Sequence, residues 1–70
     1  MPVPFAPLNR ELEIKKVSAE DKIKRRLQEL GIAEGGKLTV LSSAGGSVIV
    51  VVKEGRLCLD KTLACKITVA

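Results

Sequence analysis

The sequence predicts a mainly β domain: a small, partly closed barrel of about five short strands with one helix inserted after the first strand. Three observations lead to this fold class. Short runs rich in Val, Ile, Leu and Thr recur along the chain, and turn residues separate them. One stretch with helical periodicity follows the first of these runs. A length of 70 residues suits one domain rather than two.

The helix has both an apolar stripe and end signals. Ser18 is placed to cap its first turn, with Asp21 in the reciprocal position of a capping box. Gly31 is placed to end the helix in the left-handed conformation. One apolar stripe at helical spacing consists of Ile23, Leu27 and Leu30. We expect this stripe to fill the barrel.

The strands are bounded by glycine-rich turns and short polar segments. The predicted strands cover residues 12–17, 37–41, 48–53, 56–59 and 65–69. We expect a loop over residues 42–47 and a tight hairpin turn at Glu54 and Gly55. Asp60 is placed to cap one helical turn over residues 61–64.

The N-terminal residues 1–7 contain all three prolines of the chain, so we expect an extended arm followed by a domain over residues 8–70. This arm lacks the basic and long apolar regions of a secretory signal. The β-branched run over residues 48–52 is far shorter than the roughly 20 residues that span a bilayer. These features predict a cytoplasmic chain without direct membrane insertion.

The composition argues against catalysis. The chain has no His, Trp or Tyr, which excludes nucleophile systems that need His and also His-ligated metal sites. A chain this short leaves little room for a substrate cleft of roughly 300 Å³ or more. Gly45 and Gly46 lack the Lys and Ser or Thr that follow the glycines of a phosphate-binding loop. We predict no catalytic residues, no cofactor and no structural metal.

Two interpretations are open for the cysteines, Cys58 and Cys65. They are either two free thiols in a reducing cell or a two-thiolate pair for a soft metal or for redox chemistry. A closed structural site usually needs about four ligands, which the pair does not supply. Strand alternation predicts that Cys58 faces out and that Cys65 faces in.

The segment over residues 26–35 resembles the RLxxLGxxxG segment of the ferrous iron transport protein A (FeoA) family. The C-terminal part is similar too, with Gly55, Leu-Cys-Leu at 57–59, Ala64 and Ile-Thr-Val at 67–69. Four features depart from the family pattern: Glu34 replaces a usual Pro, Asn9 stands near a frequent Gly, Ser47 and Val48 replace the usual Asp-Pro, and the third strand is apolar on both faces.

The resemblance implies an SH3-like barrel that is a cytosolic, non-enzymatic accessory of ferrous iron uptake. Its implied partner is the cytosolic part of FeoB, a membrane ferrous-iron transporter with a guanine-nucleotide-binding domain. The protein would then be recruited to the inner face of the cell membrane. The alternative is a stand-alone SH3-like protein-interaction or regulatory module unrelated to transport.

A basic cluster on the helix is the first candidate partner-binding site. Lys22, Arg25 and Arg26 would form a docking surface for an acidic partner, whereas the simpler interpretation is a solvated helix face. Arg25 and Glu29 are spaced to pair along the helix. Nucleic acid is not an expected ligand, because the net charge is only +4 and the single aromatic residue is Phe5.

The third strand is the second candidate site. If Ile49 and Val51 fill the core, alternation leaves Val50, Val52 and their neighbour Val48 outside. An exposed apolar stripe usually marks an interface. We therefore expect the N-terminal arm, a second copy in a weak homo-oligomer, or the partner to cover it. The simpler interpretation is a central strand that is buried on both faces.

Overall fold

Five antiparallel strands form one sheet in the computed structural model, which describes residues 1–53 and 55–70. The strands are β1 (Glu11–Val17), β2 (Lys37–Ala44), β3 (Ser47–Val52), β4 (Gly55–Asp60) and β5 (Ile67–Val69). The helices are α1 (Asp21–Glu29) and α2 (Lys61–Ala64), and Val3–Phe5 form a 3-10 turn. The strand order is β4-β3-β2-β1-β5, so β4 and β5 are the two edges.

This architecture confirms the predicted fold class, with the main helix directly after the first strand. The short helix α2 is also confirmed, and its cap is the predicted one: the backbone N–H of Thr62 donates to Oδ1 of Asp60 at 2.6 Å. The strands β2 and β3 extend into the predicted loop, so only Gly45 and Gly46 remain between them. Glu54, half of the predicted hairpin turn, lies outside the described residues.

The start of α1 differs from the prediction. Glu20 is the N-cap residue, and no side chain caps the first turn. Ser18 lies two residues before this N-cap, just beyond the end of β1, where its N–H donates to the carbonyl of Lys66 at 2.8 Å. The capping box predicted at Ser18 and Asp21 is therefore wrong, and Asp21 instead places a negative charge in the first turn of the helix.

The end of α1 shows why the segment over residues 26–35 has its pattern. Gly31 follows the C-cap with a φ of 99°, as predicted, and its N–H donates to the carbonyl of Gln28. The N–H of Ile32 donates to the carbonyl of Leu27 at 2.8 Å, which completes a Schellman motif. Leu27 and Ile32 are both buried, so the motif directs the chain back into the core. Gly35 also has a positive φ, 88°, in the turn before β2.

Residues 1–7 pack on the sheet and do not form the extended arm that the prolines predict. Val3 is fully buried, and the 3-10 turn around it contacts β2, β5 and α2. The N-terminal amine and the carbonyl of Met1 bond the backbone of Val69 at 2.9 and 2.8 Å, and Pro2 forms a β-bridge to Thr68. The chain then turns at Asn9, whose φ of 61° is a conformation that Asn adopts more readily than most residues.

The burial of β3 is opposite to the predicted one. Val48 and Val50 are fully buried and Val52 is 5% exposed, whereas Ile49 and Val51 are only half-buried. The register explains this, because residues that lie directly opposite each other share a face of the sheet. Their cross-strand partners include Val48↔Leu59, Val50↔Leu57 and Val40↔Val50. The predicted exposure of Val50 and Val52 is therefore wrong, and these side chains belong to the core.

Candidate protein-interaction groove

An open groove with a volume of about 960 Å³ separates α1 from the end of β4 and from α2. The prediction of little room for a cleft is therefore wrong. The chain makes room by leaving a gap between the helix and the sheet edge, not by hollowing its core. One wall is the helix from Glu20 to Leu30, and the other runs from Cys58 to Lys66.

Aliphatic side chains form the floor of this groove. They are Ile23, Leu27, Leu30, Leu59 and Leu63. Of the three residues in the predicted stripe of α1, only Leu27 is buried, at 2% exposure. Ile23 packs partly buried against the core, and Leu30 is half-buried. The expectation that all three residues fill the barrel is therefore wrong: Leu27 is buried in the core, whereas Ile23 and Leu30 keep part of their apolar surface open to the groove.

Basic side chains form much of the rim. Lys22, Arg25 and Arg26, which sequence reasoning selected, all line the groove, and Lys66 joins them from the opposite wall. Arg26 pairs with Glu29 along the helix at 3.7 Å; the predicted pair of Arg25 with Glu29 is absent among the described residues. Within residues 1–53 and 55–70, no carboxylate lies within ion-pair distance of Lys22, Arg25 or Lys66.

Glu34 ties the helical wall of the groove to the sheet. Its carboxylate accepts a hydrogen bond from the backbone N–H of Val17 at 3.1 Å and pairs with Nζ of Lys24 at 3.4 Å. The bond from Val17 and then the charge of Lys24 hold the pKa of Glu34 below its ordinary value of 4.5. Glu34, a departure from the family pattern, therefore fixes α1 relative to the end of β1.

The structure places the two cysteines differently from the prediction in one respect. Cys58 is exposed as predicted and lines the groove, but Cys65 is exposed as well. Cys65 is the C-cap of α2 and has helical backbone angles, so strand alternation does not yet apply to it. The described residues contain no group of three or more Cys, Asp and Glu side chains that could hold a metal ion.

The sequence predicted some of the residues that line this groove and not others. It found the three basic residues of α1, since they lie within five positions of one predicted helix. It missed Leu63 and Lys66, because nothing in the sequence shows that α2 lies across a groove from α1. The other two candidates, Val50 and Val52, lie in the core and not in the groove. In the part of the chain that is described, no helix is long and apolar enough to cross a membrane.

The fold and the groove define a small SH3-like β protein. The structure superposes on that of FeoA from Stenotrophomonas maltophilia with a TM-score of 0.75 and 26% identity, covering all of this chain and 89% of the other. That protein is described as an SH3 domain protein complexed with zinc and as a candidate activating factor of bacterial ferrous iron transport. FeoA from Chlorobium tepidum gives a TM-score of 0.86 at 32% identity, covering 99% of this chain and 68% of the other.

The chain belongs to the FeoA family. The model of the FeoA domain matches residues 1–70. A relative from Methanocaldococcus jannaschii, named as a candidate Fe(2+) transport protein A, is 35% identical over 68 residues, which are 97% of this chain and 83% of the relative. The family is associated with ferrous iron transport. The match includes residues 1–7, in keeping with their packing on the sheet.

Proposed function

We propose that the protein is a non-enzymatic, cytoplasmic accessory of ferrous iron uptake that binds the cytosolic part of the FeoB membrane transporter. The observation that carries this proposal is the groove itself, an aliphatic floor in a protein of an iron-transport family, with a rim on which Lys and Arg outnumber Asp and Glu. Binding at the transporter would bring the protein to the inner face of the membrane.

The groove offers contacts for a partner, and Cys58 is the one thiol among the described residues that line it. The chain has no His, and two of the acidic residues in the groove have structural partners: Glu29 pairs with Arg26, and Asp60 caps α2. Lys22, Arg25 and Lys66 have no such partners among the described residues, so they are available for the carboxylates of a binding protein. Charge of this kind speeds association and weakens as salt rises.

Charge reversal tests the site of binding. Titration calorimetry would measure the affinity of the protein for the isolated cytosolic part of FeoB from the same organism. We expect Lys22→Glu combined with Arg25→Glu to weaken binding about tenfold or more at low salt and to flatten its salt dependence. The matched control is Arg10→Glu with Lys53→Glu, which changes the net charge equally at exposed positions outside the groove and should leave the affinity within about threefold.

The two results that contradict the proposal have different meanings. If neither the unmodified protein nor the control binds FeoB, the partner is wrong, and the alternative of a stand-alone SH3-like interaction module is favoured. If binding occurs but both double variants weaken it equally, the partner is correct and the groove is not the contact surface. The homo-oligomer predicted through β3 loses its basis, because Val50 and Val52 are buried.

A further inference from the structure

The edge strand β4 has a neighbour on one side only. All six of its residues pair with β3. No backbone group within residues 1–53 and 55–70 bonds the opposite side of this strand. Unpaired N–H and C=O groups along a strand edge are a template for pairing with another chain.

This free edge opens onto the groove. Cys58, Leu59 and Asp60 belong to β4 and line the groove, and the aliphatic residues of α1 face them across it. A chain segment that lay in the groove would therefore have an unpaired strand edge on one side and an aliphatic surface on the other. In an extended segment, successive side chains point to opposite faces. Every second side chain could then reach the floor while the others reach the basic rim.

A strand fits these features better than a helix does. An amphipathic helix would cover the aliphatic floor, but its own backbone groups are bonded within the helix and cannot satisfy the edge of β4. An extended segment satisfies both the floor and the edge. The cations Lys22, Arg25 and Lys66, which have no partner among the described residues, favour a segment that also carries carboxylates.

We propose that the partner docks by β-strand addition: an extended segment, aliphatic at alternate positions and carrying Asp or Glu between them, enters the groove and extends the sheet at β4. This inference rests on the proposed function, since it describes how the cytosolic part of FeoB would be held. The backbone bonds would supply affinity, and the floor and rim would supply specificity.

Amide hydrogen exchange, followed by NMR on the labelled protein with and without the cytosolic part of FeoB, tests this mode. We expect alternate amides within residues 56–60 to exchange about tenfold or more slowly in the complex, since a strand bonds only every second amide of its neighbour. The amides of β5 are the internal control, because Met1 already pairs with the backbone of Val69 in the free protein. Their exchange should not change.

The outcomes separate this inference from the proposed function. If the complex forms and the exchange over residues 56–60 stays as in the free protein, strand addition is overturned while the partnership with FeoB stands. If no complex forms, both fail. If the same amides slow with rising protein concentration and FeoB absent, a second copy occupies the edge, and the proposal for FeoB is overturned.

Backbone methylation of a peptide gives a second test that requires no variant of the protein. Synthetic peptides that tile the cytosolic part of FeoB identify the segment that binds. N-methylation at every second residue of that peptide should abolish binding, whereas N-methylation at the intervening residues should leave it within about threefold. Equal losses in both sets would overturn strand addition, and so would equal tolerance.

Discussion

The two edges of the sheet are treated in opposite ways. The outer side of β5, a strand of three residues, is paired by the N-terminal segment through Met1 and Pro2. The outer side of β4, a strand of six residues, has no backbone partner among the described residues and borders the groove. The shorter edge is therefore closed from within the chain, and the longer one is open to another molecule.

The open edge is nevertheless protected against unspecific pairing. Arg56 and Asp60 place charges near both ends of β4, and both side chains are exposed. Charged residues on an edge strand discourage uncontrolled strand addition. The helix α1 stands across the groove and limits access further. A strand edge can therefore remain unpaired where the residues around it select which segment pairs with it.

Removal of residues 1–6 would leave the outer side of β5 without its N-terminal partner, so that both edges of the sheet would be open. We expect the free energy of unfolding to fall by about 3 to 5 kcal/mol, because the deletion exposes the site of Val3 and removes the backbone bonds to Val69. Urea unfolding measures the change. Phe5→Ala is the matched control within the same segment, since Phe5 is 70% exposed, and it should change the stability by less than about 0.5 kcal/mol.

A loss below about 1 kcal/mol on deletion would show that the N-terminal segment rests on the sheet without stabilising it. The two edges would then be equivalent energetically, and the contrast between them would disappear.

Substitutions in β3, the strand that pairs with β4, test whether its buried valines stabilise the core or form an interface. We expect Val50→Thr to destabilise the protein by about 1 to 3 kcal/mol, because it buries a hydroxyl group in an apolar core. Val51→Thr, on the half-buried face of the same strand, should stay within about 0.5 kcal/mol. Urea unfolding and the affinity for FeoB are measured together. A Val50→Thr protein that folds normally but loses binding would indicate that β3 contacts the partner.

The smallest expected effect concerns Glu34, whose bonds to Val17 and Lys24 hold α1 beside the open edge of β4. Because the pKa of Glu34 is lowered in the folded protein, this carboxylate stabilises the fold above pH 4.5. That contribution is lost as the pH falls from about 4.5 through the lower folded pKa. We therefore expect Glu34→Gln to reduce stability at neutral pH and to make it less dependent on pH in this acid range.

Thermal unfolding between pH 3 and pH 7 measures this difference. Glu11→Gln is the control, because Glu11 is an exposed carboxylate that pairs with Lys37 at 3.8 Å. Its pH profile should follow that of the unmodified protein. Identical profiles for Glu34→Gln and the unmodified protein would show that the negative charge of Glu34 does not contribute to stability.

Features that depend on near neighbours in the chain could be predicted from the sequence. Gly31 ends α1 and Asp60 caps α2, since each acts on backbone groups a few residues away. The basic face of α1 was predicted for the same reason. The cap predicted at Ser18 is wrong for a reason that the local sequence does not show: the N–H of Ser18 bonds the carbonyl of Lys66, far along the chain, and the helix begins later.

The order of the five strands and of α1 and α2 follows from the sequence alone, and so does the separation of the β3 side chains into two alternating sets. Packing between distant segments sets which of these sides of β3 is buried. It also closes one edge of the sheet with residues 1–7 and leaves a groove beside the other. Side-chain alternation and helix capping depend on residues a few positions apart, whereas burial depends on which distant segments pack together. These contacts join residues as far apart in the chain as Met1 and Val69.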